Sequence, residues 1–100
     1  MKAPIAAKHL SPAAKKLWKS LHEEFDLDNA ARMILLTGLE AMDRKEQARA
    51  VLAKEGITQT DRFGFVKPRP EVAIERDSAT TLGRCFRLLG FDLARAEGGR

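Results

Sequence analysis

The sequence has no tyrosine, one cysteine and two histidines, and it has no Asp or Glu before Glu23. Each shortage excludes something. A lone cysteine, Cys85, cannot form an internal disulfide, and nothing in the chain pairs Cys and His at zinc-site spacing, so a reducing compartment is expected. His9 and His22 both lie near the N-terminus, and Cys85 falls on an apolar helix face, so no nucleophile, base and orienting group can be nominated. His22 and Glu23 are adjacent, not three or four apart as ligands on one helix face would be, and no glycine-rich phosphate loop is present. Neither a metal nor another cofactor is expected. The longest nearly uncharged stretch, Met33 to Leu39, is too short to cross a bilayer, and "MKAPIAAKHL" lacks a signal-type apolar core. The expectation is a cytoplasmic protein with no membrane partner that works by binding or assembly, not by catalysis.

What is present suits one small domain. At 100 residues, 44% apolar and 32% charged, the chain can bury one modest core. The net charge is +4, but its placement matters more than its size. Lys2, Lys8, Lys15, Lys16 and Lys19 crowd an end without acids, which creates a local positive field suited to a polyanion. The alternative is a solvated, lysine-rich helix face. Arg44 and Arg49 are weaker candidates, because Asp43 and Glu46 stand beside them.

The periodicity predicts a mainly α protein of three helices, the central one long, with a short β-hairpin between the second and third. Ser11 caps the first helix and Pro12 starts it; Ala14, Leu17, Trp18, Leu21 and Phe25 form its apolar stripe, with the lysines on other faces. Asp28 caps a second helix that runs from Asn29 to Glu55 and stops at Gly56. About 27 residues at ~1.5 Å each give a rod of roughly 40 Å, longer than the ~33 Å diameter of a compact domain this size. Its first half is apolar nearly all round. Either neighbouring subunits cover it or the chain folds tightly over it; Met33, Leu35, Leu36 and Leu39 are the residues that would serve a subunit interface together with the chain's own core.

"ITQTDRFGFVK" then reads as a hairpin, with Asp61 opening a type I turn and Gly64 at the left-handed position of a G1 bulge. Pro68 and Pro70 stop the second strand, and Pro70 starts a third helix that runs from about Glu71 to Leu89 with Gly90 as its cap. Asp61, Gly64, Pro68 and Pro70 are structural in this reading, while Arg62, Lys67 and Arg69 could touch a polyanion or a neighbour. The domain is expected to span 1–93, with a flexible tail over 94–100.

The combination of "HLSPAAKKLW", "AVLAKEGI", "TDRFG" followed by "KPRPEVAIERD", and "LGRCFRLLGFDL" resembles the small terminase subunit of tailed bacteriophages, specifically the P-twenty-seven family, over roughly Lys8 to Leu93. Thr60, Asp61, Arg62 and Gly64 match the family's turn, Lys67, Pro68 and Pro70 its connector, and Glu75, Arg76 and Asp77 its third-helix signature; Arg69 stands where the family has histidine. The resemblance implies a non-enzymatic packaging component in the host bacterial cytoplasm. Such a subunit assembles with itself into a ring, engages double-stranded viral DNA, and hands it to the large terminase subunit, an ATPase and nuclease. Lys8, Lys15, Lys16 and Lys19 are then the first candidates for phosphate contacts, followed by Arg62, Lys67 and Arg69. Two other readings are a structural assembly protein that binds DNA negligibly and a small helical DNA-binding regulator. The regulator would need a short recognition helix after a tight turn, and the pattern offers none.

Overall fold

The computed structural model describes residues 4–91, so the tail expected over 94–100 and the last two residues of the expected domain lie outside the described residues. Three helices, α1 (Pro12–Glu24), α2 (Asn29–Glu55) and α3 (Pro70–Leu88), are joined with a two-stranded hairpin, β1 (Thr58–Thr60) and β2 (Val66–Pro68), between α2 and α3. The order and kinds of element are those the sequence predicts.

The helix starts follow from local chemistry. Ser11 Oγ accepts the Ala14 N–H at 3.1 Å and donates to Asp43 Oδ1 at 2.6 Å, while the Ser11 N–H donates to Asp43 Oδ2 at 2.8 Å. One carboxylate on α2 therefore fastens the entrance of α1. Asp28 Oδ1 caps α2 by accepting the Ala31 N–H at 2.8 Å. The end of α3 is a Schellman turn: Gly90 takes φ +79°, its N–H donates to the Arg87 carbonyl and the Phe91 N–H to that of Phe86, both at 3.0 Å. The turn brings Phe91 edge-on to Phe86, with centroids 5.2 Å apart, and stacks it on Phe25 at 4.7 Å, which ties the last turn of α3 to the end of α1.

Both neighbours run antiparallel to α2. α1 lies along its first half, with Ser11 near Asp43 and His22 near Arg32; α3 lies along its length, with Cys85 beside Gly38 and Glu75 beside Arg49. Leu10, Ala14, Trp18, Leu21, Leu27, Leu35 and Leu39 form the buried core between α1 and α2. The seam with α3 is of another kind. Gly38, Ala41 and Ala48 on α2 and Ser78 and Cys85 on α3 are its buried residues, all small and spaced by three or seven, as in a coiled coil.

The molecule is long, measuring 58 × 32 × 21 Å with a radius of gyration of 16.5 Å, against ~13 Å for a compact chain of this length. The distal halves of α2 and α3 form a two-helix arm, and the hairpin sits at its tip. Thr58 pairs with Pro68, Gln59 with Lys67 and Thr60 with Val66. Pro68 is the last strand residue and not, as the sequence suggested, the residue that stops the strand. Arg69 N–H bonds to the Ile57 carbonyl and Asp61 N–H to that of Phe65, so Pro68 falls at a position whose N–H would point outward and is not missed.

The turn is built on Asp61. Its Oδ1 accepts the N–H of Phe63 at 2.8 Å and of Phe65 at 3.0 Å, its carbonyl accepts the Gly64 N–H at 3.0 Å, and Gly64 takes φ +86°. The Phe65 N–H does most to hold the Asp61 carboxyl below its ordinary value of 3.8, desolvation works against it, and the Phe63 N–H and the Lys67 ammonium assist. A depressed carboxyl stabilises the fold fully above its unfolded value and ceases to do so as pH falls through the folded one. Hydrogen exchange at the Phe65 and Arg69 amides should accordingly quicken as pH drops below 3.8, after correction for intrinsic rates. Gly64→Val, which forces a β-branched residue into left-handed backbone, should cost ~1–3 kcal/mol and show the same loss of protection at neutral pH.

Candidate functional site

α1 offers a cationic face because its apolar stripe is spent inward. Ala14, Trp18 and Leu21 are buried, and Trp18 is anchored by an Nε1–H that donates to the Pro4 carbonyl at 2.7 Å. Lys15, Lys16 and Lys19 are exposed on the other side, as is Lys8 in the lead-in. Among the described residues none of these four lysines takes part in an ion pair. His22 is turned away from this face: its Nδ1–H donates to the Trp18 carbonyl at 2.8 Å, and its Nε2 lies 3.3 Å from Arg32 Nε.

The second cationic group, on the hairpin, is not free in the same way. Arg62 lies over the Phe63 ring, 4.9 Å from its centroid; Lys67 Nζ is 3.4 Å from Asp61 Oδ2; and Arg69 is half-buried, its Nε enclosed without a hydrogen-bond partner. The two groups do not converge. α1 reaches along α2 to Asp43, and the hairpin begins beyond Glu55, a separation of roughly 18 Å at the helical rise. Arg49 is neutralised by Glu75 across the arm at 2.9 Å, and the hydrogen bond to that carboxylate is the main reason its pKa is raised. Asp43, expected to offset these arginines, holds Ser11 instead, and Glu46 pairs with Lys45 at 3.4 Å.

The four leucine and methionine candidates on α2 are placed differently from one another. Leu35 and Leu39 have 0% exposure, enclosed by their own chain, whereas Met33 is 72% exposed and Leu36 is half-buried against the core. A partner meeting this helix would find Met33 and the outer side of Leu36. Sequence reasoning missed a larger apolar surface: Ile57, Phe63, Phe65 and Val66 on the hairpin are 66–71% exposed. The signal was there, since two phenylalanines flanking the turn glycine have no core to enter in a hairpin of two short strands. Sequence reasoning also missed Asp43, whose role depends on a partner 32 residues away.

Among the described residues no group of three or more His, Cys, Asp or Glu could hold a metal ion, and no helix is long and apolar enough to cross a membrane. Cys85 is buried in the α2–α3 seam. The features that distinguish the molecule are surfaces, a cationic helix face and an exposed apolar hairpin on a long helical frame, and they define a small helical module suited to macromolecular contact. Residues 14–97 match the family model described as phage terminase, small subunit, and the chain belongs to that family. Its role is therefore in phage DNA packaging. No curated protein and no solved structure matches the chain.

Proposed function

We propose that the protein is a non-enzymatic, ring-forming adaptor that binds double-stranded viral DNA and presents it to the large terminase subunit. The observation that carries this reading is the α1 face, where Lys8, Lys15, Lys16 and Lys19 stand exposed and unpaired among the described residues while the opposite stripe is locked into the core. Phosphates are the partner that such a face fits, and contacts of this kind tolerate any sequence. The long arm with its exposed Met33 and hairpin supports self-association. The occupied or enclosed cations of the hairpin favour a second reading for that element, a protein contact and not a DNA contact. A 27-residue α2 following α1 is unlike the short recognition helix of a helix-turn-helix regulator.

Light scattering coupled to size exclusion, with and without a generic DNA duplex, tests the whole reading. A large closed oligomer that retains duplex supports it; a DNA-binding dimer points to a regulator, and an oligomer indifferent to DNA points to a purely structural assembly protein. Replacing Lys15, Lys16 and Lys19 together with Ala should leave the oligomer intact. For every phosphate that a lysine no longer neutralises, the slope of log affinity against log salt should flatten by roughly 0.9. An unchanged slope would remove the α1 lysines from the DNA site.

A further inference from the structure

We propose that the hairpin of one copy docks on the opposite end of a second copy, where α1 ends and α2 begins, so that subunits join head to tail. The proposal rests on the self-assembly reading and says which surfaces make the junction. A two-stranded hairpin is marginal in water unless something covers it, yet this one projects past the helices with Ile57 66%, Phe63 71%, Phe65 69% and Val66 67% exposed. Cross-strand pairing sets Val66 and Ile57 on opposite faces, so apolar side chains project on both sides. Four large apolar side chains exposed together on so small an element make a surface of the kind that marks an interaction site.

Charge selects the occupant. The hairpin brings Arg62, Lys67 and Arg69 against the single carboxylate Asp61, which Lys67 already engages. At the other end of the molecule Glu23, Glu24, Asp26 and Asp28 are all exposed, with Arg32 bound to His22 and Asn29; among the described residues Lys19, Arg84 and Arg87 are the exposed cations on the adjoining turns of α1 and α3. Exposed apolar side chains lie at that same end, Phe25 at 38%, Met33 at 72% and Leu88 at 68%. A basic apolar projection thus has an acidic apolar counterpart on every copy of the chain. Because the two surfaces differ, the contact is heterologous, and such contacts make a ring when the rotation between neighbours closes.

The test uses two variants and their mixture. Phe63→Ser/Phe65→Ser spoils the hairpin, and Glu23→Arg/Glu24→Arg spoils its counterpart; all four side chains are exposed, so the fold, checked by circular dichroism and melting, should persist. Each variant alone should fall from the assembled mass to a single chain of 11.1 kDa. Mixed one to one, they should form a heterodimer that grows no further, since the pair retains one intact hairpin and one intact counterpart. Arg62→Glu combined in one chain with Glu24→Arg should regain assembly that each change alone weakens. If the wild type itself is a single chain, the self-assembly reading fails and the junction with it. If the wild type assembles and the hairpin variant assembles equally, or the folded variants are separate yet do not combine when mixed, the junction is overturned while self-assembly stands.

Discussion

Gly38→Leu is expected to cost the protein at least ~3 kcal/mol, at the upper end of what overpacking a core usually does, and so to remove much of the stability of a chain this size. A Cβ added at Gly38 would stand 3.1 Å from Cys85 Cβ, 3.7 Å from Phe86 Cε1 and 3.8 Å from Cys85 Sγ. The nearest of these atoms is fixed to the α3 backbone and cannot swing aside, so the three further carbons of leucine can enter only if the helices separate. Separation would uncover Ala41, Ala48, Ser78 and Cys85 along the same seam. Gly38→Ala calibrates the effect. Its gain in helix propensity, about 1 kcal/mol, opposes a close approach to which α3 must yield by a few tenths of an ångström, and the net change should be small. Urea unfolding of the two variants against the wild type measures both. A leucine variant as stable as the wild type would mean that the helices do not pack this closely in solution.

Trp18→Ala should cost about 3–5 kcal/mol, the range for truncating a large buried aromatic residue. Trp18 is 7% exposed, lies tilted against His22 with ring centroids 4.4 Å apart, and holds the lead-in segment through its bond to Pro4. Its removal opens a cavity between α1 and α2 and releases the segment that carries Lys8. Two readouts should therefore move together: the melting temperature and, under the proposed function, DNA affinity at a temperature where the remaining fold is intact. Trp18→Phe keeps most of the packing and forfeits the indole hydrogen bond, so it should cost only ~1 kcal/mol. A Trp18→Ala protein that melts like the wild type would place α1 off the body of the domain.

The parts of the fold legible in the sequence are those decided by a few neighbouring residues. Ser11 before Pro12, Asp28 before Asn29, Gly56 after Glu55 and Asp61 with Gly64 each set a local backbone choice, and the structure places a cap, a stop or a turn at every one. What was not legible depends on residues distant in the chain. Gly38 in an apolar run reads only as a weak helix former; its reason is Cys85, on another helix. Ala48 and Cys85 read as apolar positions on their helices, but Ala41 and Ser78 are too small to stand out in an apolar pattern, so the course of the α2–α3 seam was only partly legible. The four apolar candidates on α2 could not be sorted, because burial of Leu35 and Leu39 but not Met33 follows from the sides on which α1 and α3 lie. For the lysines, the amphipathic period was enough to put them outward; that Arg49 would be spent on Glu75 required the antiparallel pairing of the helices.

The small-residue seam also makes the distal arm a lever. From Gly38 to the end of α2 at Glu55 is about 25 Å at the helical rise, so a tilt of roughly 5° between the helices near Gly38 would move the hairpin by about 2 Å. That displacement is enough to take an aromatic side chain out of a fitted pocket. Substitutions beside the buried Cys85 can therefore alter where the hairpin points without touching it, and the angular play permitted at the seam sets how accurately the exposed aromatic tip is aimed.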